Sequence, residues 1–381
     1  MARHASERLS AAFVGVDDLR GMTAEWRDLE AAAVEPNPFY APAMLLPALD
    51  AFAAEKPEVA VIRDGAKRLI GLAPVAPING YSRLPVRYLA TWMHPHCYFA
   101  APLVRRGFER AFFGAFFGLV EDRGAFLRLR HLDASGPLFA AAGAVAADQG
   151  RLSAPSARYQ RAMLRSPWST DDYLKEVLSG KRRKELRRLR ARLEDEGAVR
   201  FEVFAGGDID PWAEEFLLLE ASGWKGRNRT ALLQDDKSAR FFKEAATLAS
   251  AAGALQIFRL LLGSRAIASA VNFRSGEVSY AFKIAYDEEY ARYSPGVMIE
   301  IEIMKALEGA SSLDFIDSCA QAEHPMIDRL WKERRTISAL NVSRRDAPAK
   351  ALFHLLTALE RASEKARRAA AKPVEANDDD L

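Results

Sequence analysis

The distribution of apolar residues predicts an α/β chain of two similar units in tandem, each a mixed, largely antiparallel central sheet flanked by helices. Three observations carry this prediction. Short β-branched and aromatic runs alternate with longer segments of helical period. Asp64-Gly65, Gly263-Ser264 and Ser275-Gly276 join consecutive runs in the manner of hairpins. The order of elements in residues 1–165 recurs, weakly in letters but clearly in pattern, in residues 166–345. A chain of 381 residues with 49% hydrophobic content has enough apolar material for two cores.

In the first unit, residues 9–16 read as a strand, 19–33 and 43–52 as helices, and 59–63 with 69–74 as a hairpin. A strand at 87–90, a loop, a helix at 109–122, a strand at 126–131, an alanine-rich helix at 138–147 and a strand at 159–164 complete it. The units are expected to meet near Arg165 to Trp168. The second opens with a basic helix at 181–196, a strand at 199–204, a helix beginning near Asp210-Pro211 and another at 241–251. Strands at 255–261, 267–274 and 278–285 follow, then a helix from Pro295, a strand at 313–316, a short helix at 326–331 and a strand at 337–342. A closing helix is expected over 346–371. The acidic end, 372–381, lacks a hydrophobic pattern and is expected to be a disordered tail.

The stretch from Val278 to Leu307 carries the most chemistry. Tyr280, Phe282, Ile284 and Tyr286 alternate with smaller or polar residues as a strand does, and Ser294-Pro295 supplies an N-cap and a first-turn proline. Val297, Ile301, Met304 and Leu307 mark the apolar face of the helix that follows. Its amide groups and positive dipole end should therefore face the C-terminal edge of the strand, a setting that favours a phosphate. Arg292 adds a charged donor and Gly296 a backbone that a ligand can approach closely. Lys283 falls inside an interior strand and so calls for a partner.

Four segments, SGKRRKELRRLRARLEDEG (179–197), LEASGWKGRNRTAL (219–232), KIAYDEEYARYSPGVMIE (283–300) and DSCAQAEHPMIDRLWKERR (317–335), together resemble the CelD-like acetyltransferases. These are members of the GCN5-related N-acetyltransferase superfamily often linked to cellulose or exopolysaccharide synthesis. The resemblance is strongest from about residue 166 to 342. It implies tandem GCN5-related N-acetyltransferase-like domains and an acyl-CoA-dependent N-acyltransferase acting on an amine of a cell-envelope or exopolysaccharide precursor. Acetyl-CoA or a longer acyl-CoA would be the co-substrate, with no metal, and Arg292, Tyr293, Ser294, Gly296 and Val297 would hold it. The family loop usually reads Arg/Gln-x-x-Gly-x-Gly/Ala, whereas Pro295 and Val297 stand here at small-residue positions. Fem-type transferases share the fold and take an aminoacyl group from charged transfer RNA, which is the alternative chemistry. A non-catalytic subunit of a polysaccharide-synthesis assembly is a third reading.

Eight of the twelve residues 181–192 are basic, and Glu194, Asp195 and Glu196 crowd the far end, so the charges oppose the helix dipole. Arg190–Glu194 and Arg192–Glu196 pairs with Leu186, Leu189 and Leu193 turned inward would make this an ordinary solvated helix. The resemblance instead gives Lys181, Arg182 and Arg183 an anionic acceptor, or the backbone of a transfer RNA. Lys225, in a loop with Gly226, Arg227 and Arg229, makes a basic lip, and Trp224 is either a core aromatic or part of the same substrate-binding surface. Lys283 joins them as a substrate-binding candidate.

Asp317 and His324 are the candidates for the base that frees an acceptor amine, with a strand-end cap and a helix N-terminus as their structural alternatives. Tyr286 or Tyr293 could protonate the leaving thiolate. Cys319 as an acyl nucleophile is the lesser option, because direct transfer needs no covalent intermediate. His94, His96 and Cys97 lack a second ligand pair at zinc spacing and are expected to shape the cleft between the units.

Composition narrows the setting. The net charge of +3 demands neither nucleic acid nor membrane, and two cysteines suit a reducing compartment. The N-terminal MARHASERLSAAF has no apolar core of signal-peptide length, and the most apolar run, Ala111 to Val120, is too short and too glycine-broken to span a bilayer. A cytoplasmic protein with an anionic small-molecule or saccharide partner is the expectation.

Overall fold

The computed structural model describes residues 9–81, 84–165, 169–309 and 313–370. Its strands are β1 (Ser10–Val14), β2 (Glu58–Arg63), β3 (Leu69–Tyr81), β4 (Leu84–Thr91), β5 (Leu103–Val104), β6 (Phe126–Asp133), β7 (Ser153–Leu164), β8 (Val199–Val203), β9 (Leu255–Leu262), β10 (Arg265–Ser275), β11 (Val278–Tyr286), β12 (Phe315–Asp317) and β13 (Glu333–Ser343). They form one sheet in the order β1-β2-β3-β4-β6-β13-β7-β12-β11-β10-β9-β8, with β5 beside β3. The architecture is the expected mixed, largely antiparallel sheet flanked by helices. Among the described residues only one pair of neighbours in each half is parallel, β4 with β6 and β11 with β12.

Read inward from either edge, the order of the sheet is the same. The last strand of each half is exchanged: β13 lies between β6 and β7, and β7 lies between β13 and β12. The halves also share a core. One cluster of buried side chains runs from Trp26, Phe39 and Tyr40 through Phe112 and Phe116 to Phe216, Phe241, Tyr280 and Phe282. The helices Pro42–Phe52 and Asp236–Ala251 carry it across the boundary, where Phe52 meets Phe241 at 5.4 Å between centroids. The meeting point read near residue 165 involves residues 166–168, and the tail 372–381 also lies outside the described residues.

Several elements differ from expectation for local reasons. β3 runs through Pro74 and Pro77 to Tyr81, because pairing with β2 on one side and β4 on the other overrides two residues that ordinarily end a strand. β7 begins at Ser153, and Ala157, with φ 48°, marks an irregularity that hides its alternation. The helix at 19–33 is two helices, Val16–Gly21 and Thr23–Ala31, broken at Met22. A helix at Thr170–Val177, capped by Ser169 onto the amide of Asp172, precedes the basic helix.

The segment that positions the site forms as its pattern dictates, with two corrections. β11 ends at Tyr286 and the helix Pro295–Leu307 follows a 3-10 turn, Glu288–Tyr293. Ser294 precedes the helix, but its backbone is left-handed (φ 56°, ψ 51°) and its side chain makes no capping bond. The buried face is also rotated from the one expected: Met298, Ile299, Glu300, Ile303 and Met304 are buried, whereas Val297 and Ile301 are only partly so. A helix apolar on nearly every side gives no phase to its sequence, so packing chooses the face. That rotation turns Glu300 inward.

Candidate active site

β11 and β12 pair only where Val278 to Tyr280 meet Phe315 to Asp317. β12 then ends, while β11 continues to Tyr286 with that edge open. Two cavities occupy the resulting splay. A groove of about 350 Å³ lies toward the helix N-terminus, lined by Tyr286, Pro295, Gly296 and Val297 on one side and Leu178, Leu186, Pro325 and Leu330 on the other. A cavity of about 200 Å³ lies deeper, between Ala281 to Ile284 of β11 and Ser318 to Ala320. Met326 lines both, so they adjoin.

The groove is apolar with a positive mouth. Arg182 and Arg329 are the charged residues that line it, and among the described residues neither guanidinium has an ion-pair partner. Of the first-turn amides, Pro295 has none, and those of Val297 and Met298 both donate to the Ser294 carbonyl at 3.1 Å. That leaves the amide of Gly296. An anion here would therefore be held chiefly by the two arginines, with the helix dipole and one amide assisting. A methyl group added at Gly296 would lie 3.4 Å from Met326 Sδ and 3.5 Å from Tyr286 Cδ1, in ordinary contact.

Arg292 and Tyr293, expected at this groove, turn away from it. Arg292 pairs with Glu196 at 2.8 Å, and the buried Tyr293 donates its hydroxyl to the same carboxylate. Glu196 is thus taken from the expected pair with Arg192, whereas Arg190–Glu194 forms at 2.7 Å and Leu186, Leu189 and Leu193 are buried as expected. Within the basic cluster only Arg182 reaches the groove. Arg183 instead donates to the carbonyls of Lys175 (2.9 Å) and Leu178 (2.6 Å), closing the end of the preceding helix, and Lys181 is exposed.

The deeper cavity gathers polar groups from both halves. Lys283 points at Glu220 Oε1 (3.0 Å), the partner that an interior lysine requires. Lys225 is not an exposed lip. It reaches the same Oε1 at 3.3 Å and donates to the Ile284 carbonyl at 2.7 Å, on the open edge of β11. Burial lowers the Lys225 pKa below the usual lysine range. Burial alone would raise Glu220, but Lys283 and Lys225 hold its carboxyl below the usual value, and its Oε2 accepts the Leu232 amide at 2.8 Å.

Lys225 is aimed by a short helix, Trp224–Arg227, rather than a loop. Gly226 makes this possible, because a Cβ there would stand 1.8 Å from the Ala221 carbonyl oxygen. Trp224 is 46% exposed and hence no core aromatic; Glu288 accepts its amide proton at 2.6 Å.

Asp317 is wholly buried between two arginines, Arg161 at 2.6 Å and Arg335 at 2.7 Å. Burial would raise its carboxyl, and the paired guanidinium groups overcome that and lower it. It does not line either cavity. Its Oδ1 accepts the amide of Cys319 at 2.8 Å and fixes that residue at φ 53°, so Asp317 shapes the wall of the cavity from behind. Arg161 comes from β7 of the other half and also donates to the Tyr98 carbonyl at 2.8 Å. Cys319 lines the cavity, but burial and the neighbouring Asp317 push its thiol well above the usual range, which disfavours a thiolate nucleophile.

His324 lines the cavity and accepts the Ile327 amide at Nδ1 (3.3 Å), capping a short helix; burial lowers its pKa. Tyr286 stands in the groove. Sequence reasoning missed the buried Asn272, Glu220 and Glu300 and the partly buried Tyr98, all placed by packing. For Glu220 and Glu300 a signal existed: Glu220 is the one carboxylate in the run FLLLEAS, and Glu300 is one of two, with Glu302, in the apolar run GVMIEIEIM. His94 and Cys97 are buried, and His96 is largely so, ringed by Phe52, Phe241 and Phe282, with His96 Nε2 at 2.9 Å from Ser238 Oγ. They pack where the halves meet, within the shared core, rather than shaping an open cleft.

Residues 180–324 match the family model described as an acetyltransferase (GNAT) domain. No curated protein sequence matches the chain. Among solved structures, FemX superposes with a TM-score of 0.56 over 91% of this chain and 99% of its own, at 9% identity. The C-terminal domain of a putative lysylphosphatidylglycerol synthetase from Agrobacterium fabrum gives 0.55 over 89% and 96%, at 11% identity. A conserved protein of unknown function from Bacteroides thetaiotaomicron gives 0.55 over 88% and 100%, at 9% identity. At these identities the likeness is one of fold, and it spans both halves. Among the described residues no helix is long and apolar enough to cross a membrane.

Proposed function

We propose, from an acetyltransferase-type fold with a matching domain over residues 180–324, that the chain transfers an acyl group from acyl-CoA to an amine. The carrying observation is that the apolar groove and the polar cavity adjoin at Met326, on the open edge of β11. The groove suits the pantetheine arm and acyl chain, with Arg182 and Arg329 toward the phosphates. The cavity suits the acceptor. A thioester carbonyl near Met326 would then face the amine at short range, the positioning that removes much of the barrier. Tyr286 lines the groove, which supports it as the group that would give the leaving thiolate a proton. The resemblance of the sequence to CelD-like proteins supports an envelope or exopolysaccharide precursor as the acceptor.

Calorimetry with acetyl-CoA and a longer acyl-CoA tests the donor. Arg182→Ala and Arg329→Ala should each weaken binding about tenfold, as expected for one charge-assisted contact. Gly296→Glu should abolish it by filling the space between Met326 and Tyr286. Arg292→Ala should matter less, since Arg292 faces Glu196. A folded wild type that binds no acyl-CoA would overturn this reading.

Aminoacyl transfer from charged transfer RNA is the second reading. It is favoured by the exposed Lys181, Lys184, Arg187 and Arg188, which line one helix beside the groove mouth. It requires RNA binding that weakens steeply with salt. A folded chain that takes neither donor would point to a non-catalytic subunit.

A further inference from the structure

Glu300 is a carboxylate in the deeper cavity whose chemistry nothing above has used. It comes from the first turns of the helix Pro295–Leu307, is 6% exposed and lines the cavity with Asn272, Ala281, Lys283 and Met326. Among the described residues no hydrogen bond or ion pair engages its carboxyl. This is unusual, because the other buried carboxylates in the site are answered: Glu220 by two lysines and an amide, Asp317 by two arginines and an amide. A buried carboxyl left open toward a cavity is kept at a cost to stability unless a ligand meets it.

We infer that Glu300 is the general base of the transfer, taking a proton from the ammonium of an acceptor that also carries an anionic group. The inference rests on the acyl-transfer reading of the same site. The cavity's charges argue for such an acceptor. Lys225 and Lys283 share the single carboxylate of Glu220, so once Glu300 has taken the proton the cavity carries one positive charge in excess, which a carboxylate or phosphate on the acceptor would answer. The same two ammonium groups disfavour a third positive charge nearby, and so help the acceptor lose its proton. Burial raises the Glu300 carboxyl to about 7, the value at which a base is both ionised and willing to accept a proton near neutral pH. The other titratable groups facing this cavity are Tyr98, Lys225, Lys283, Cys319 and His324.

The step balances as follows. The acceptor R–NH3+ gives one proton to the Glu300 carboxylate, and its nitrogen lone pair attacks the thioester carbonyl carbon. A C–N bond forms and the C–S bond breaks. The second nitrogen proton passes to the leaving thiolate, by way of Tyr286, and gives the free thiol. Glu300 returns its proton to water when the products leave.

The experiment is thiol release from acyl-CoA against a panel of amines with and without an anionic group, such as an amino acid, an amino sugar and an amino sugar phosphate, across pH 5 to 9. Glu300→Gln should retain acyl-CoA binding within threefold while kcat falls at least a hundredfold. The rising limb near pH 7 should vanish with it, and Glu300→Asp should restore part of the rate. Amines with an anionic group should be the better acceptors. Wild-type turnover that Glu300→Gln leaves intact, or a limb that survives in Glu300→Gln and disappears in His324→Ala, overturns the role of Glu300 and leaves the transfer reading standing. Failure of wild type to transfer from either acyl-CoA or charged transfer RNA removes the transfer reading and this role with it.

Discussion

At the scale of single residues, burial acts on three carboxyl groups in the same direction. Glu300, Glu35 and Glu30 are each raised to about 7 by desolvation, with Glu35 capping the Leu138 amide and Glu30 beside Ser275 as partial compensation. The folded state then holds protons that the unfolded chain has already released above its ordinary carboxylate value. Stability contributed by these groups is full below about pH 4.5 and is lost as pH rises through about 7. A shift of this size corresponds to at most roughly 3 kcal/mol per group. Urea unfolding should therefore show less stability at pH 8 than at pH 5, and Glu300→Gln should remove its portion of the loss and exceed wild type at pH 8. Parallel pH profiles for the two proteins would refute this. Asp317 has the opposite sign: its lowered pKa keeps its contribution intact until acid pH.

At the scale of elements, the short helix Trp224–Arg227 shows how a local rule sets a distant charge. Gly226 packs on the Ala221 carbonyl so closely that no other residue fits, and Lys225 beside it is thereby aimed at Ile284 and Glu220. Gly226→Ala should unwind this turn, cost ~1–3 kcal/mol in thermal unfolding and withdraw Lys225 from the cavity. Acceptor KM should rise while acyl-CoA affinity stays unchanged, because the donor groove is lined by other elements. Unaltered stability would sink this account of the glycine. Most elements were legible because their periods and breakers agree, as in β11 with its alternation from Tyr280 to Tyr286. The helix Thr170–Val177 was not, since its only buried residues besides Thr170 are Tyr173 and Leu174, although Ser169 and Asp172 carried a capping signal.

At the scale of the whole molecule, the exchanged strands make two similar halves into one object. β13 needs β6 and β7 on its flanks, β7 needs β12 and β13, and the buried Arg161–Asp317–Arg335 network draws on all three strands β7, β12 and β13. Either half alone would expose unpaired strand edges and leave buried charges unanswered. Residues 9–165 or 169–370 expressed singly should be insoluble or unfolded by circular dichroism, and the full chain should unfold in one transition by far-ultraviolet and near-ultraviolet signals. A soluble, cooperatively folded single half would contradict this.

The sequence by itself determined the order of most strands and helices, the doubling of that order and the segment in which the proposed site lies. These depend on periodicity, turns and caps, which act between residues close in the chain. It also singled out Lys225, Lys283, His324, Tyr286 and Gly296, because a basic residue in an interior strand or a glycine at a helix start is unusual locally. Tertiary structure alone decided that Arg292 serves Glu196, that Asp317 supports the cavity from behind, and that Glu300 faces into it. Each of these follows from which strand lies beside which and from the rotation of one helix. Such relations join residues far apart in the chain, and no local pattern encodes them.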